Sequence, residues 1–158
     1  MENAVEMIKA HHRSVSEQLA EGVDAIEAAK VTDYDSRTFD AFVTFLTDDL
    51  MPHAEGEERS MYPAVRDLIC RYDNPLATMS LDHQAIVDRI NKLKDLVTRV
   101  DACQEERERL LPQAKRLSIE LGALVSVHLA KEEIALLPLM EEHMSEEEIV
   151  GVVHRMHG

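Results

Sequence analysis

Two stretches of the chain carry the same arrangement of potential metal donors. His53-Ala54-Glu55-Gly56-Glu57-Glu58 is followed by Tyr62-Pro63, and His128-Leu129-Ala130-Lys131-Glu132-Glu133 is followed by Leu137-Pro138. Both read HxxxEE, then an aromatic or apolar residue and a proline at equal offsets. On a helix, His and Glu four positions apart face the same way one turn apart. Neutral imidazoles and carboxylates bind transition-metal ions, and one carboxylate can bridge two of them. A single HxxxE in a Glu-rich chain means little. Two copies with matching proline offsets point to metal chemistry.

These motifs need helices to aim them. Apolar residues recur at helical spacing almost throughout, and aromatics are only 4%, so the alternation of strands is missing and an all-α chain is expected. Breaks at Val31-Thr32-Asp33, Tyr72-Asp73-Asn74-Pro75 and Asp101-Ala102-Cys103 separate four long helices, roughly 3–30, 35–71, 75–101 and 104–141. Short connections make neighbours antiparallel. Ser145-Glu146-Glu147-Glu148 is a capping-box pattern that starts a short C-terminal helix, expected on the outside of the bundle. Pro52, Pro63 and Pro138 should kink or end the helices that hold them.

Helical phase decides whether the polar residues point inward. The first helix runs Val5, Ile8, His12, Val15, Leu19, Val23, Ile26, and the third Leu76, Met79, His83, Ile86, Ile90, Leu93, Val97. Ile8, His12, Val15 and Leu19 align with Met79, His83, Ile86 and Ile90, so the chain reads as two copies of a helical hairpin. The second helix shows Phe39, Val43, Leu46, Leu50, His53, Glu57, Met61, Ala64, Leu68, and the fourth Leu117, Leu121, Leu124, His128, Glu132, Ala135, Leu139. Each long helix thus sets a histidine on its apolar stripe, and two add a glutamate. His11 lies one step, about 100°, off the stripe, so His12 is preferred.

Four imidazoles and two carboxylates in one apolar core need compensation, because an uncompensated buried carboxylate is very costly. Two metal ions, each with two histidines and bridged by Glu57 and Glu132, supply it. The competing reading is a set of core histidines that bind nothing, in a plain helical interaction domain. Glu58 and Glu133 are expected to be exposed or to support the ligands from behind. Tyr62 reads as a packing residue that could reach the site. His11, His143, His154 and His157 follow no repeat and read as surface residues.

Composition removes other classes. The chain has 158 residues, which favours one domain over 1–158. Asp and Glu total 31 against 17 Lys and Arg, a formal charge of -14 that argues against nucleic acid or an anionic membrane as partner. No apolar run approaches the roughly 20 residues of a membrane helix, and Met1-Glu2-Asn3 lacks the basic start of a secretory signal, so a soluble, cytoplasmic protein is expected. Cys70 and Cys103 are isolated, as reduced packing residues would be. Three residues before each histidine no glutamate occurs, which sets aside the Glu-x-x-His signature of ferritin-like di-iron oxidases. Neither HExxH nor a Gly-rich phosphate loop is present.

His12, His53-xxx-Glu57, His83 and His128-xxx-Glu132, together with "HHR", "EGEERSMYP", "LDH" and "HLAKEEIALLPLMEEHMSEEE", resemble the hemerythrin-like, or HHE cation-binding, family over nearly the whole chain. The resemblance implies an all-α, up-down-up-down four-helix bundle holding two iron ions with an oxo or hydroxo bridge; zinc and manganese also suit the donors. One departure matters: the oxygen carriers have a second histidine one turn after the third-helix His, where this chain has Val87. Their fourth-helix carboxylate is an Asp five residues after the His, whereas Glu132 follows His128 by four. With one protein ligand fewer, the resemblance favours reaction or sensing over reversible transport. The partners it implies are oxygen, peroxide or nitric oxide and a redox partner. The alternative is a non-enzymatic iron or gas sensor acting through a partner protein. Monomer and homodimer stay equally open.

Overall fold

The computed structural model describes residues 3–69 and 76–157, apart from the side chain of His157. The expected break at residues 72–75 and Cys70 lie outside the described residues. Among the described residues five helices account for the fold. Helix α1 is Ala4–Ala28, started by Asn3, whose side chain accepts from the Val5 N–H at 2.9 Å. Helix α2 runs through 36–68 behind the Asp35 cap, and α3 is Leu76–Ala102. A single 3₁₀ turn, Gln104–Glu106, leads into α4 over 107–143. Helix α5 is Glu146–His157, and its capping box is formed: Glu148 N–H donates to Ser145 Oγ while Ser145 N–H donates to Glu148 Oε2 at 2.8 Å. No described helix is long and apolar enough to cross a membrane.

The prolines do not break the rods as expected. Ahead of each, the helix widens for one turn: Met51 N–H bonds to Leu46 O, Tyr62 N–H to Glu57 O, and Leu137 N–H to Glu132 O, all five residues back. Each wide turn is followed at once by Pro52, Pro63 or Pro138. In a regular α-helix the proline ring would meet the carbonyl four residues earlier. Opening the turn removes that collision, and the helix continues beyond it.

The extra residue in each wide turn rotates everything after it by about 100°. The stripes expected to continue through Ala64 and Leu68, and through Ala135 and Leu139, therefore fail beyond the turns. On α2 the buried residues after Met61 are Tyr62 and Val65; on α4 they are Leu136, Leu137 and Met140, while Ala135 is exposed. On α1 and α3, which have no wide turn, the expected stripes are buried, apart from a half-buried Val23.

Helices α1 and α3 both lie against α2 and α4, and the ends of α2 and α4 beyond their glutamates also meet. The core falls into two apolar lobes. One holds Val15, Leu19, Phe39, Leu50, Ile86 and Val125 among others. The other holds Val5, Ile8, Met61, Met79, Leu136 and Met140. Along every helix the lobes change over at the histidines: Ile8 and Val15 flank His12, and Met79 and Ile86 flank His83. Helix α5 does more than lie outside the bundle. Ile149, Val152, Val153 and Met156 are buried in the second lobe, and Glu146 Oε1 accepts from Ala4 N–H at 2.7 Å.

Candidate metal centre

Between the lobes lies a layer of six buried polar side chains: His12, His53, Glu57, His83, His128 and Glu132, each at most 5% exposed. They are the six singled out from the sequence. Two groups of donors form among them, His12, His53, Glu57 and Glu132, and Glu57, His83, His128 and Glu132, with the donor atoms of each within 4.8 Å of one another. The glutamates belong to both groups.

The contacts run between imidazole Nε2 and carboxylate oxygen. His53 Nε2 lies 2.9 Å from Glu57 Oε1 and His12 Nε2 lies 3.5 Å from it; His83 Nε2 is 3.2 Å from Glu57 Oε2. His12 Nε2 is 3.6 Å from Glu132 Oε2, and His128 Nε2 is 3.4 Å from Glu132 Oε1. These short distances are not all hydrogen bonds. His12 Nε2, His53 Nε2, Glu57 Oε1 and Glu132 Oε2 are buried and have no aligned hydrogen-bond partner among the described residues. Buried polar atoms so rarely go unsatisfied that each orphan asks for a cause. Lone pairs converging on shared points are what a cation needs, so the donor set fits metal ions.

Two of the outward nitrogens, those of His83 and His128, are held separately, while His12 Nδ1 and His53 Nδ1 have no aligned hydrogen-bond partner among the described residues. His83 Nδ1–H donates to Glu58 Oε1 at 3.0 Å, and Ser80 Oγ–H donates to Glu58 Oε2. His128 Nδ1–H donates to Asp82 Oδ2 at 3.3 Å, where Lys131 Nζ also binds at 2.6 Å. His12 Nδ1 faces Glu133 Oε1 at 3.3 Å. A proton on Nδ1 leaves Nε2 as the lone-pair donor, so Glu58 and Asp82 select for His83 and His128 the tautomer that can bind a metal. Glu58 thus supports a site histidine from behind, whereas Glu133 stays partly exposed and makes no aligned hydrogen bond to His12 Nδ1. Asp82 and Lys131 escaped the sequence reading: Asp82 is on α3 beside His83 but serves His128 on α4, a contact only packing creates.

Tyr62 reaches the site. Its hydroxyl donates to Glu132 Oε1 and lies 3.4 Å from Nε2 of both His83 and His128, with the ring stacked on His83. Five residues after Glu57 it would be about 140° out of phase on a regular α-helix. The wide turn over Glu57–Met61 brings it round. The repeated proline one residue later was the available signal. His11, expected at the surface, is half-buried instead, its ring centroid 4.5 Å from that of His53. It is outside both donor groups. His143 and His154 are exposed as expected.

In the metal-free chain the charges are uneven. Burial opposes ionisation of Glu57, but His53, His12 and His83 overcome it and hold the carboxyl well below its usual range. Burial and the charge of Glu57 push Glu132 up. Burial lowers His12 and His83, yet the Glu57 carboxylate outweighs it and both are raised overall. Burial and the Glu132 and Glu57 charges keep the Tyr62 phenol protonated.

An all-helical fold with two buried His and Glu groups sharing their carboxylates defines a helical cation-binding protein. The sequence model of the hemerythrin HHE cation binding domain matches residues 3–139, and the chain belongs to that family. No curated protein and no solved structure matches it. Helix α5 lies beyond the matched region.

Proposed function

We propose that this chain is a non-haem di-iron protein that binds or reacts with oxygen, peroxide or nitric oxide at a centre bridged by Glu57 and Glu132. The observation that carries the reading is the pair of four-residue donor groups sharing both glutamates. His12 and His53 would hold one ion, His83 and His128 the other. Bound there, the ions would supply redox and Lewis-acid chemistry toward a small oxidant.

The chain's own residues prepare the site. Glu58 and Asp82 orient His83 and His128, and the two lobes exclude bulk water on either side. Tyr62 places its Oη beside Glu132. A groove of about 660 Å³ between α2 and α3, lined by Met51, Ala54, His83 and Val87, opens toward one half of the centre. It lies where the oxygen carriers have their further histidine, which favours an accessible centre. The helices of this reading alternate in direction; Lys115, early in α4, donates to Glu27 O near the end of α1 at 2.6 Å, as antiparallel neighbours would.

Metal analysis of untagged, chelator-free protein tests the reading. About two irons per chain are expected, falling in His53→Ala and Glu132→Ala, with peroxide or nitric oxide consumption tracking iron content. No iron after ferrous reconstitution refutes it. A second reading, iron or gas sensing through a partner, is favoured by α5, which lays a surface helix against the turn that carries Glu57. Iron binding without turnover, accompanied by altered protease protection of α5, would select it.

A further inference from the structure

The two halves of the centre differ in one donor. Around His83 and His128, the Tyr62 oxygen stands 3.4 Å from each Nε2 and is hydrogen-bonded to Glu132 Oε1. The four donors of that half lie within 4.8 Å of one another, and the phenol oxygen stands within 3.4 Å of a donor atom of three of them. The side chain is buried, and its ring is fixed on His83 with centroids 5.3 Å apart and planes 8° from parallel. In the internal repeat its counterpart is Leu137, also five residues after a glutamate and before a proline, which is buried and has no donor atom.

We propose that Tyr62 is a metal ligand of the His83 and His128 half, and that the two metal positions are therefore chemically distinct. The proposal rests on the di-iron reading above. On loading, the phenol O–H bond breaks, its proton leaves to solvent, and the oxygen's electron pair bonds to the cation. No electron changes hands in that exchange. The half built from His12 and His53 keeps only imidazole and carboxylate donors.

The test is optical. Full-length protein is loaded with ferrous iron, oxidised in air, assayed for iron, and examined by visible absorption and resonance Raman spectroscopy. A phenolate-to-iron charge-transfer band with enhanced tyrosinate ring modes is expected. Tyr62→Phe should abolish the band while the iron content per chain is retained. Because Tyr62→Phe could weaken folding, the double variant Tyr34→Phe with Tyr72→Phe, which leaves Tyr62 as the only tyrosine, provides a second arm and should keep the band in full. Iron-loaded wild type without the band overturns the proposal and leaves the di-iron reading standing. A band that survives in Tyr62→Phe, or disappears in the double variant, also overturns it. Failure of wild type to take up iron removes both.

Discussion

At the scale of single residues, the site depends on groups that never face it. Asp82 Oδ2 accepts from His128 Nδ1–H and from the ammonium of Lys131. Burial opposes its ionisation, but Lys131 and His128 hold its carboxyl below the usual range, so it is a reliable acceptor at neutral pH. Asp82→Asn removes the charge and relaxes the choice of tautomer. Metal affinity is expected to fall by about 10–100-fold, the usual cost of losing such a partner, as read by competition with a calibrated chelator. Affinity equal to wild type would mean that His128 is oriented by packing alone.

The helices obey a local conflict between proline and hydrogen bonding, and the site exploits its resolution. The wide turns ahead of Pro63 and Pro138 begin at Glu57 and Glu132 themselves, so the residues that bind and the residues that relieve these prolines are one sequence feature. Such wide turns occur often at functional sites. Helix α5 then locks the first of them. A Cβ on Gly56 would stand 2.4 Å from the backbone oxygen of Met156, so the close approach of α2 and α5 needs glycine. Gly56→Ala should force the helices apart and destabilise the chain by about 1–3 kcal/mol, the range for overpacking. Gly151→Ala, within α5 and only 3.4 Å from a flexible Arg155 side chain, should instead stabilise by up to about 1 kcal/mol through helix propensity. Urea denaturation of the pair separates the effects; equal midpoints would remove the argument that α5 braces the turn.

Across the whole molecule, the polar layer divides what would otherwise be one continuous core. Without metal it is a cost to the fold; with metal, binding energy becomes stability. An ion at a hundred times its dissociation constant adds about 2.7 kcal/mol, or about 5–10 °C in Tm for a chain of this size. The pH dependence has a definite sign. In the metal-free chain His12 and His83 are raised, so their contribution is complete below the ordinary imidazole value of about 6.5 and is lost as pH rises through their folded values. Metal requires the neutral imidazoles, so its contribution runs the other way. The difference in Tm between metal-loaded and chelator-treated protein should widen steadily from about pH 5 to about pH 7.5. A difference that stays constant over that range would show that these histidines do not bind the ion.

Spacing along a helix was enough to place the helices of α1 and α3, the capping box of α5 and the inward-facing histidines and glutamates, because each of these depends on a regular stretch of a few turns. His12 and His83 lie on unbroken apolar stripes, and His53 with Glu57 and His128 with Glu132 are each one turn apart. The register beyond Glu57 and Glu132 was not legible in the same way: a helix that widens by one residue at a proline moves Tyr62 and Leu137 inward and turns Ala135 out, and no fixed period anticipates it. Tertiary structure alone decided the partners that cross between helices. Asp82 meets His128, Tyr62 meets Glu132, and α5 closes on Gly56, because such contacts depend on how helices are rotated and seated against one another, which spacing within a helix does not encode.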